Sequence, residues 1–415
     1  MVFWSGAGTV GQVTGSTQPA ARDSPRPPLA FIAFIARAGR FRTPVLLWLL
    51  ARIVLVSWAV GVRFTTGGGW RMLGNPNWPF TLFYHWDSVY FAHIANRGYF
   101  GTGSLTTWQA FFPGYPAAAR IVAFGFGGAH PSIAQIQVGL SIVAAIGSLV
   151  ATVLFWHLVW QVHGRRIAIA ATVLFLAGPY SLFLVASYSE SLFLTFAIGA
   201  WLLAGRGSWM WGGILAAAAS LTRINGLFLV AALVVLYIRS RQVRGLNYRG
   251  GAIGLAAIGF SGTGLYFLYL WVRTGNLFAW STAETLGWDR TTRLPWATFS
   301  ETLTYALTLP KFDGRMQAWL EIVFAVLLVL ACVLLVCRRL WAEAVMVGLT
   351  LLSLMTSSSY LSLARTSVVL FPIPILLATT LTFPRWRWVY WTGVSVGVLL
   401  LLVNTALFTQ GHWAD

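Results

Sequence analysis

Apolar stretches of the length needed to cross a bilayer recur along most of the chain, and no soluble core could absorb them all. A helical span takes about 17–25 mainly apolar residues. Runs of that length or near it cover 44–62, 133–160, 167–186, 190–204, 209–221, 223–238, 250–272, 319–337, 342–358, 366–383 and 388–408. The run 209–238 is long for one span and short for two. It is divided at Thr222–Gly226, because Gly205–Ser208 and Arg239–Arg249 both read as cytoplasmic. Only 9% of the 415 residues are charged, against roughly 25% in a soluble domain. The expectation is an all-α polytopic membrane protein with about eleven transmembrane helices.

The formal charge of +18 raises the question of nucleic acid, and its distribution answers it. The basic residues, all arginine except Lys311, sit in short clusters between apolar runs rather than along one face. That is the pattern of cytoplasmic loops, so no nucleic-acid partner is expected. Arg37, Arg40 and Arg42 before the first span predict a cytoplasmic N-terminus and a multi-pass protein of the cell membrane. Acidic residues divide the other way. Asp87, Glu190, Glu284, Asp289, Glu301, Asp313, Glu321 and Asp415 fall on or near the outer face, and only Asp23 and Glu343 lie with the arginines. A carboxylate near a membrane is costly unless it serves a purpose, so the outer face is where chemistry is expected.

The organisation follows from these runs. Residues 1–28, rich in Gly, Ser, Thr and Pro, lack the apolar core of a signal peptide, and 1–43 reads as a disordered cytoplasmic tail. A transmembrane domain covers 44–408, with a large, aromatic first outer loop at 63–116 and a second at 273–318. Residues 409–415 form an outer tail. Tyr115–Ala129 reads as a membrane-dipping segment. The two cysteines, Cys332 and Cys337, fit no zinc spacing and are too few for a disulfide framework.

The first outer loop holds the block HWDSVYFAHIANRGY, His85–Tyr99. Positions 87, 90, 91, 94 and 98 fall on one helical face. A carboxylate at Asp87, set against Trp86 in a partly dry site, can act as a general base. It can equally cap the helix N-terminus, and the residues alone leave both readings open. Gln109–Pro116 carries two prolines that fix the chain's return to the membrane. In Tyr188–Phe193, Ser187 or Ser189 can cap a span, and Glu190 suits its positive end. Arg223 interrupts an apolar run and Arg365 precedes another, both toward the outer side. A guanidinium there either snorkels or pairs with a phosphate. No phosphate-binding Gly-rich loop, HExxH, GxSxG or Asp-x-Asp motif occurs. Hence no cofactor, no metal and no nucleotide sugar is expected, and an activated lipid would have to supply the energy of any transfer.

Five blocks taken in order resemble the PIG-V family, the second mannosyltransferases of GPI-anchor assembly and their bacterial relatives. His85–Tyr99 is similar to the family's WDs-x-x-y-x-x-IA-x-x-GY, and QAFFPGYP to its AFFPLxP. SYSESLF resembles YTESLF, SLTRINGLFL resembles TRxNGLLL, and LARTSVVLFPIPILLA resembles xxRYxxxxFPxxxxLA. The blocks run collinearly from about residue 80 to 380. The chain departs from the pattern at Thr366, where the family has Tyr, and over Gly275–Arg290, which follows it loosely with Glu284 near a Gln position.

The resemblance implies a GT-C type glycosyltransferase that takes mannose from polyprenyl-phosphate-mannose on the outer face. It passes the sugar, with inversion, to a glycolipid or protein acceptor. It assigns Asp87 as the base, and the phosphate reading of the guanidiniums puts Arg365, with Arg223, at the departing polyprenyl phosphate. Trp86, His85, Glu190, Asn225 and Glu284 are candidate donor or acceptor contacts. Two rivals come from other classes. A transporter or lipid flippase would usually show inverted repeats and broken helices at midplane. A non-catalytic subunit of an envelope complex would keep the fold and tolerate loss of Asp87.

Overall fold

The computed structural model describes residues 29–66 and 78–412. Of the expected tail over 1–43, residues 1–28, with Arg22, Asp23 and Arg26, lie outside the described residues, as does the terminal Asp415, while 29–43 are helical and continuous with the first span. Among the described residues every regular element is helical. The longer helices are α1 (Leu29–Thr65), α2 (Asp87–Arg97), α3 (Gly114–Gly127), α4 (Ile133–Ala177), α5 (Glu190–Gly205), α6 (Trp209–Ser220), α7 (Asn225–Gln242) and α8 (Arg249–Thr274). They are followed by α9 (Ala279–Trp288), α10 (Pro295–Thr308), α11 (Phe312–Cys337), α12 (Trp341–Met355), the short α13 (Leu363–Thr366), α14 (Pro372–Leu381) and α15 (Arg387–Thr409).

Fewer helices than the expected eleven are each long and apolar enough to cross a membrane unaided. Among the described residues, five helical segments can cross a membrane by length and composition: Phe41–Thr65, Ile133–Ala177, Arg249–Thr274, Phe312–Cys337 and Pro384–Thr409. A sixth is available if Leu363–Val369 and Pro372–Leu381, bent by 81°, make one span. Apolar composition continues through helix breaks, so hydropathy alone cannot find them. α5, with 16 residues, is about 24 Å long, short of the roughly 30 Å hydrocarbon core. The run 167–186 also ends early. Its helix stops at Ala177, where Gly178 turns extended and Pro179 cannot continue the ladder. Run 366–383 breaks at Phe371, with Pro372 at the first position of the next helix. The division of run 209–238 is found between Ser220 and Asn225.

The core is built around α5, whose Phe193, Leu194, Ala197 and Ile198 are fully buried between α4, α6 and α7. α1 packs along α4 and α15, with Trp58 Nε1 donating to Leu402 O at 2.8 Å. Gly164, at φ 77°, kinks α4 between its first long arm and its Arg165–Ala177 arm. One contact fixes the site end of the molecule. The Gly114 N–H, at the start of α3, donates to Leu221 O at 2.7 Å. A Cβ at Gly114 would lie 2.7 Å from that oxygen and 2.8 Å from Thr222 Cγ2. Only glycine lets the two motif-bearing turns meet this closely.

Candidate active site

The charged residues that sequence scatters over 278 positions converge at one end of the bundle. Asp87 is the first residue of α2, and Trp86 is its N-cap with no side-chain cap hydrogen bond. The capping reading of Asp87 therefore does not hold. Its carboxylate instead takes a hydrogen bond from Arg365, Nη1 to Oδ2 at 2.8 Å. Asp87 N–H donates to the Tyr188 hydroxyl at 3.2 Å, and that hydroxyl donates to His85 O at 3.1 Å. Trp86 itself sits at φ 55°, a left-handed conformation that costs an aromatic residue about 1–3 kcal/mol. Its Nε1 donates to His412 O at 3.3 Å.

Glu190 opens α5, as expected, yet its role is larger than complementing a helix end. It is fully buried, and its Oε1 accepts from Arg365 Nε and Nη2, both at 2.7 Å, and from Arg223 Nη1 at 2.9 Å. Arg223, in the break between α6 and α7, also donates to Ser189 Oγ at 3.0 Å. The Arg365 guanidinium is clasped between two aromatic faces, 4.5 Å from the Phe183 centroid and 4.4 Å from that of Tyr188. Arg365 is 5% exposed. A buried ion pair stabilises only where its remaining protons and lone pairs are also satisfied. Two carboxylates and two rings meet that need for Arg365.

These groups border a cavity of about 170 Å³. Asp87, Arg223, Asn225, Glu284 and Arg365 line it, while His85, Trp86 and Glu190 do not. His85 packs edge-on against Phe408, and burial, helped by the Arg63 charge, pulls its imidazole down from the ordinary value. Glu190 acts from behind the cavity wall by holding both arginines. Glu284, on α9, faces Arg290 at 3.6 Å. Burial pushes its carboxyl up from the usual range, and Arg290 offsets part of that rise. Phe91, Phe111, Phe112, Trp280 and Trp288 make the apolar wall.

Glu190 Oε2 and Arg223 Nε are buried here without a hydrogen-bond partner, and Arg290 Nε meets the Glu284 carboxylate at 3.6 Å. Among the described residues no group of three or more His, Cys, Asp or Glu could hold a metal ion.

Sequence reasoning missed four participants. Tyr188 and Phe183 clasp Arg365, and Tyr188 was within reach as part of the SYSESLF block. Arg290 lines the cavity two residues after Trp288. Glu321, on α11, accepts the Ala364 N–H at 2.8 Å and so anchors the short helix that carries Arg365. A carboxylate inside the apolar run 319–337 was the available signal.

The stretch that supplies Asp87, Glu190, Arg223 and Asn225 is also the one that can be matched. Residues 77–243 match the model of the mannosyltransferase (PIG-V) family. Arg365, Glu284 and Glu321 lie beyond the PIG-V stretch. No curated protein matches the chain. Among solved structures, the Archaeoglobus fulgidus oligosaccharyltransferase in complex with Zn and sulfate is similar at 12% identity and a TM-score of 0.48. That likeness covers 88% of this chain and 53% of that one. The apo form of the same enzyme gives 13%, 0.47, 89% and 56%. The A. fulgidus enzyme with an inhibitory peptide and a dolichol-phosphate gives 12%, 0.44, 89% and 56%. The chain thus spans about half the length of the solved structures it resembles.

Proposed function

We propose that this protein is an inverting GT-C type mannosyltransferase. It takes mannose from polyprenyl-phosphate-mannose and passes it to a glycolipid or protein acceptor on the extracytoplasmic face of the cell membrane. The observation that carries the reading is the Asp87–Arg365–Glu190–Arg223 network at a cavity edge, with three of its four members supplied by the PIG-V stretch. The Asp87 carboxylate, oriented by Arg365 through Oδ2, takes the acceptor hydroxyl proton as that oxygen attacks the anomeric carbon. The bond from that carbon to the phosphate oxygen breaks, and the electron pair leaves with polyprenyl phosphate.

The geometry favours a division of labour between the arginines. The sequence places Arg365 at the donor phosphate as an expectation, yet its guanidinium is already engaged by Asp87, Glu190 and two rings. Its role is better read as positioning Asp87. Arg223 and Arg290 line the cavity with one carboxylate partner each, Glu190 and Glu284, and are the better ligands for the leaving phosphate, since a guanidinium matches phosphate oxygens well. Glu284 and Asn225 are placed to meet sugar hydroxyls. The test is a membrane assay with radiolabelled polyprenyl-phosphate-mannose and extracted envelope lipids. Label should enter a lipid or protein fraction with the parent and fail to with Asp87→Asn. Equal labelling by the two proteins removes the base.

A further inference from the structure

A second polar feature lies at the far end of α15 from Asp87. The helix begins at Arg387, and just past its last turn His412 O accepts Trp86 Nε1. Its 23 residues span about 34 Å at 1.5 Å per residue, close to the bilayer thickness. A cavity of about 500 Å³ opens there between the Arg165–Ala177 arm of α4 and the start of α15. Arg165, Arg166 and Arg387 line its rim, and Ile169, Ala170 and Val173 line its floor. The Gly164 kink turns the chain just before the arginine pair.

The electrostatics of this cavity are incomplete. Among the described residues no carboxylate lines it, and none of the three arginines forms an ion pair. Arg387 is the first residue of α15, whose first turn has no acidic residue and no side-chain cap hydrogen bond. A cation at a helix N-terminus opposes the macrodipole, and an anion there satisfies both the free N–H groups and the charge. Trp386, Trp388 and Trp391 are exposed around the same turn, as interfacial tryptophans are at the headgroup level.

We propose that this cavity binds the phosphate of an acidic phospholipid in the leaflet opposite the Asp87 site, with an acyl chain along Ile169, Ala170 and Val173. A soluble phosphate would use the arginines and leave the apolar floor unused, so the lipid is the occupant that fits the whole cavity. Arg165 and Arg387 are the residues to remove, because Arg166 also ties α4 to Thr382 O at 3.2 Å. The purified, delipidated full chain is titrated with phosphatidylcholine vesicles with and without phosphatidylglycerol, and bound lipid is counted by native mass spectrometry. The parent should retain phosphatidylglycerol selectively, and Arg165→Gln/Arg387→Gln should weaken that retention about tenfold or more at unchanged thermal stability. Selectivity that survives in the double variant overturns the site, as does parent binding that ignores lipid charge. Displacement by glycerol phosphate overturns the lipid assignment.

Discussion

Arg365 Nη1 donates to Asp87 Oδ2 at 2.8 Å while the same guanidinium holds Glu190 through Nε and Nη2 at 2.7 Å. One planar fork thus fixes two carboxylates from different helices. A lysine could not, because its charge is a point and its donors rotate.

Asp87→Asn keeps the size of the side chain and an oxygen for Arg365, and removes the ability to accept a proton at neutral pH. Transfer should fall by about a hundredfold or more, within the range of a lost general base. The melting temperature in detergent should stay near the parent's. A folded, fully active variant ends the mechanism.

The two arginines should separate kinetically. Arg365→Lys is expected to lower kcat about ten- to a hundredfold, the equivalent of one lost charged hydrogen bond, with little change in the donor KM. Arg223→Gln should chiefly raise the donor KM. Steady-state kinetics against both substrates distinguishes these, and the reverse pattern returns the phosphate role to Arg365.

Glu284 supplies a pH dependence. Its folded-state carboxyl is raised above the ordinary range, chiefly by burial, so the folded protein is penalised once that group ionises. The penalty is absent below the ordinary glutamate pKa and grows as pH rises toward the raised value. Glu284→Gln should therefore match the parent in acid and melt above it near neutrality. A melting difference that does not change with pH would remove the argument.

Glu321 should matter although it lies outside the cavity. Glu321→Ala leaves the Ala364 N–H buried without its acceptor, a cost of about 1–3 kcal/mol, and loosens the helix that presents Arg365. Both melting temperature and kcat should drop, and Glu321→Gln, which keeps an acceptor oxygen, should recover most of each. Normal behaviour of the alanine variant would show that Arg365 is held by other means.

Sidedness is tested with reporter fusions. With the Asp87 face outward, fusions after Gly103 and Thr308 should report outside, and fusions after Arg42 and Arg244 inside. A cytoplasmic signal at Gly103 would reverse the proposed orientation.

Much of the site was legible because its residues sit in local blocks. Asp87, Glu190 and Arg223 each stand at a helix start or break, where short motifs carry a signal. What could not be read is which blocks meet. The Arg365–Glu190 contact joins residues 175 apart, and nothing in either block specifies the other. Span boundaries are hard to read for a related reason. In a chain this apolar, hydropathy reports that a segment avoids water and not whether it is lipid or protein that surrounds it. α5 is nearly all apolar and yet mostly buried in protein. Gly178–Pro179 and Phe371–Pro372 were visible as breakers, and the apolar runs around them concealed how sharply they end their helices.

The convergence on Arg365 also orders events during synthesis. Asp87, Glu190 and Arg223 all leave the ribosome before the residue that binds both carboxylates. Until the α13 turn is made, Glu190 has Arg223 while Asp87 lacks the guanidinium that pairs with it, and a desolvated charge without its counter-ion is strongly unfavourable. The nascent bundle therefore has reason to keep that end open to water. A chain ending before Arg365 would carry the matched family stretch without the guanidinium that joins Asp87 to Glu190.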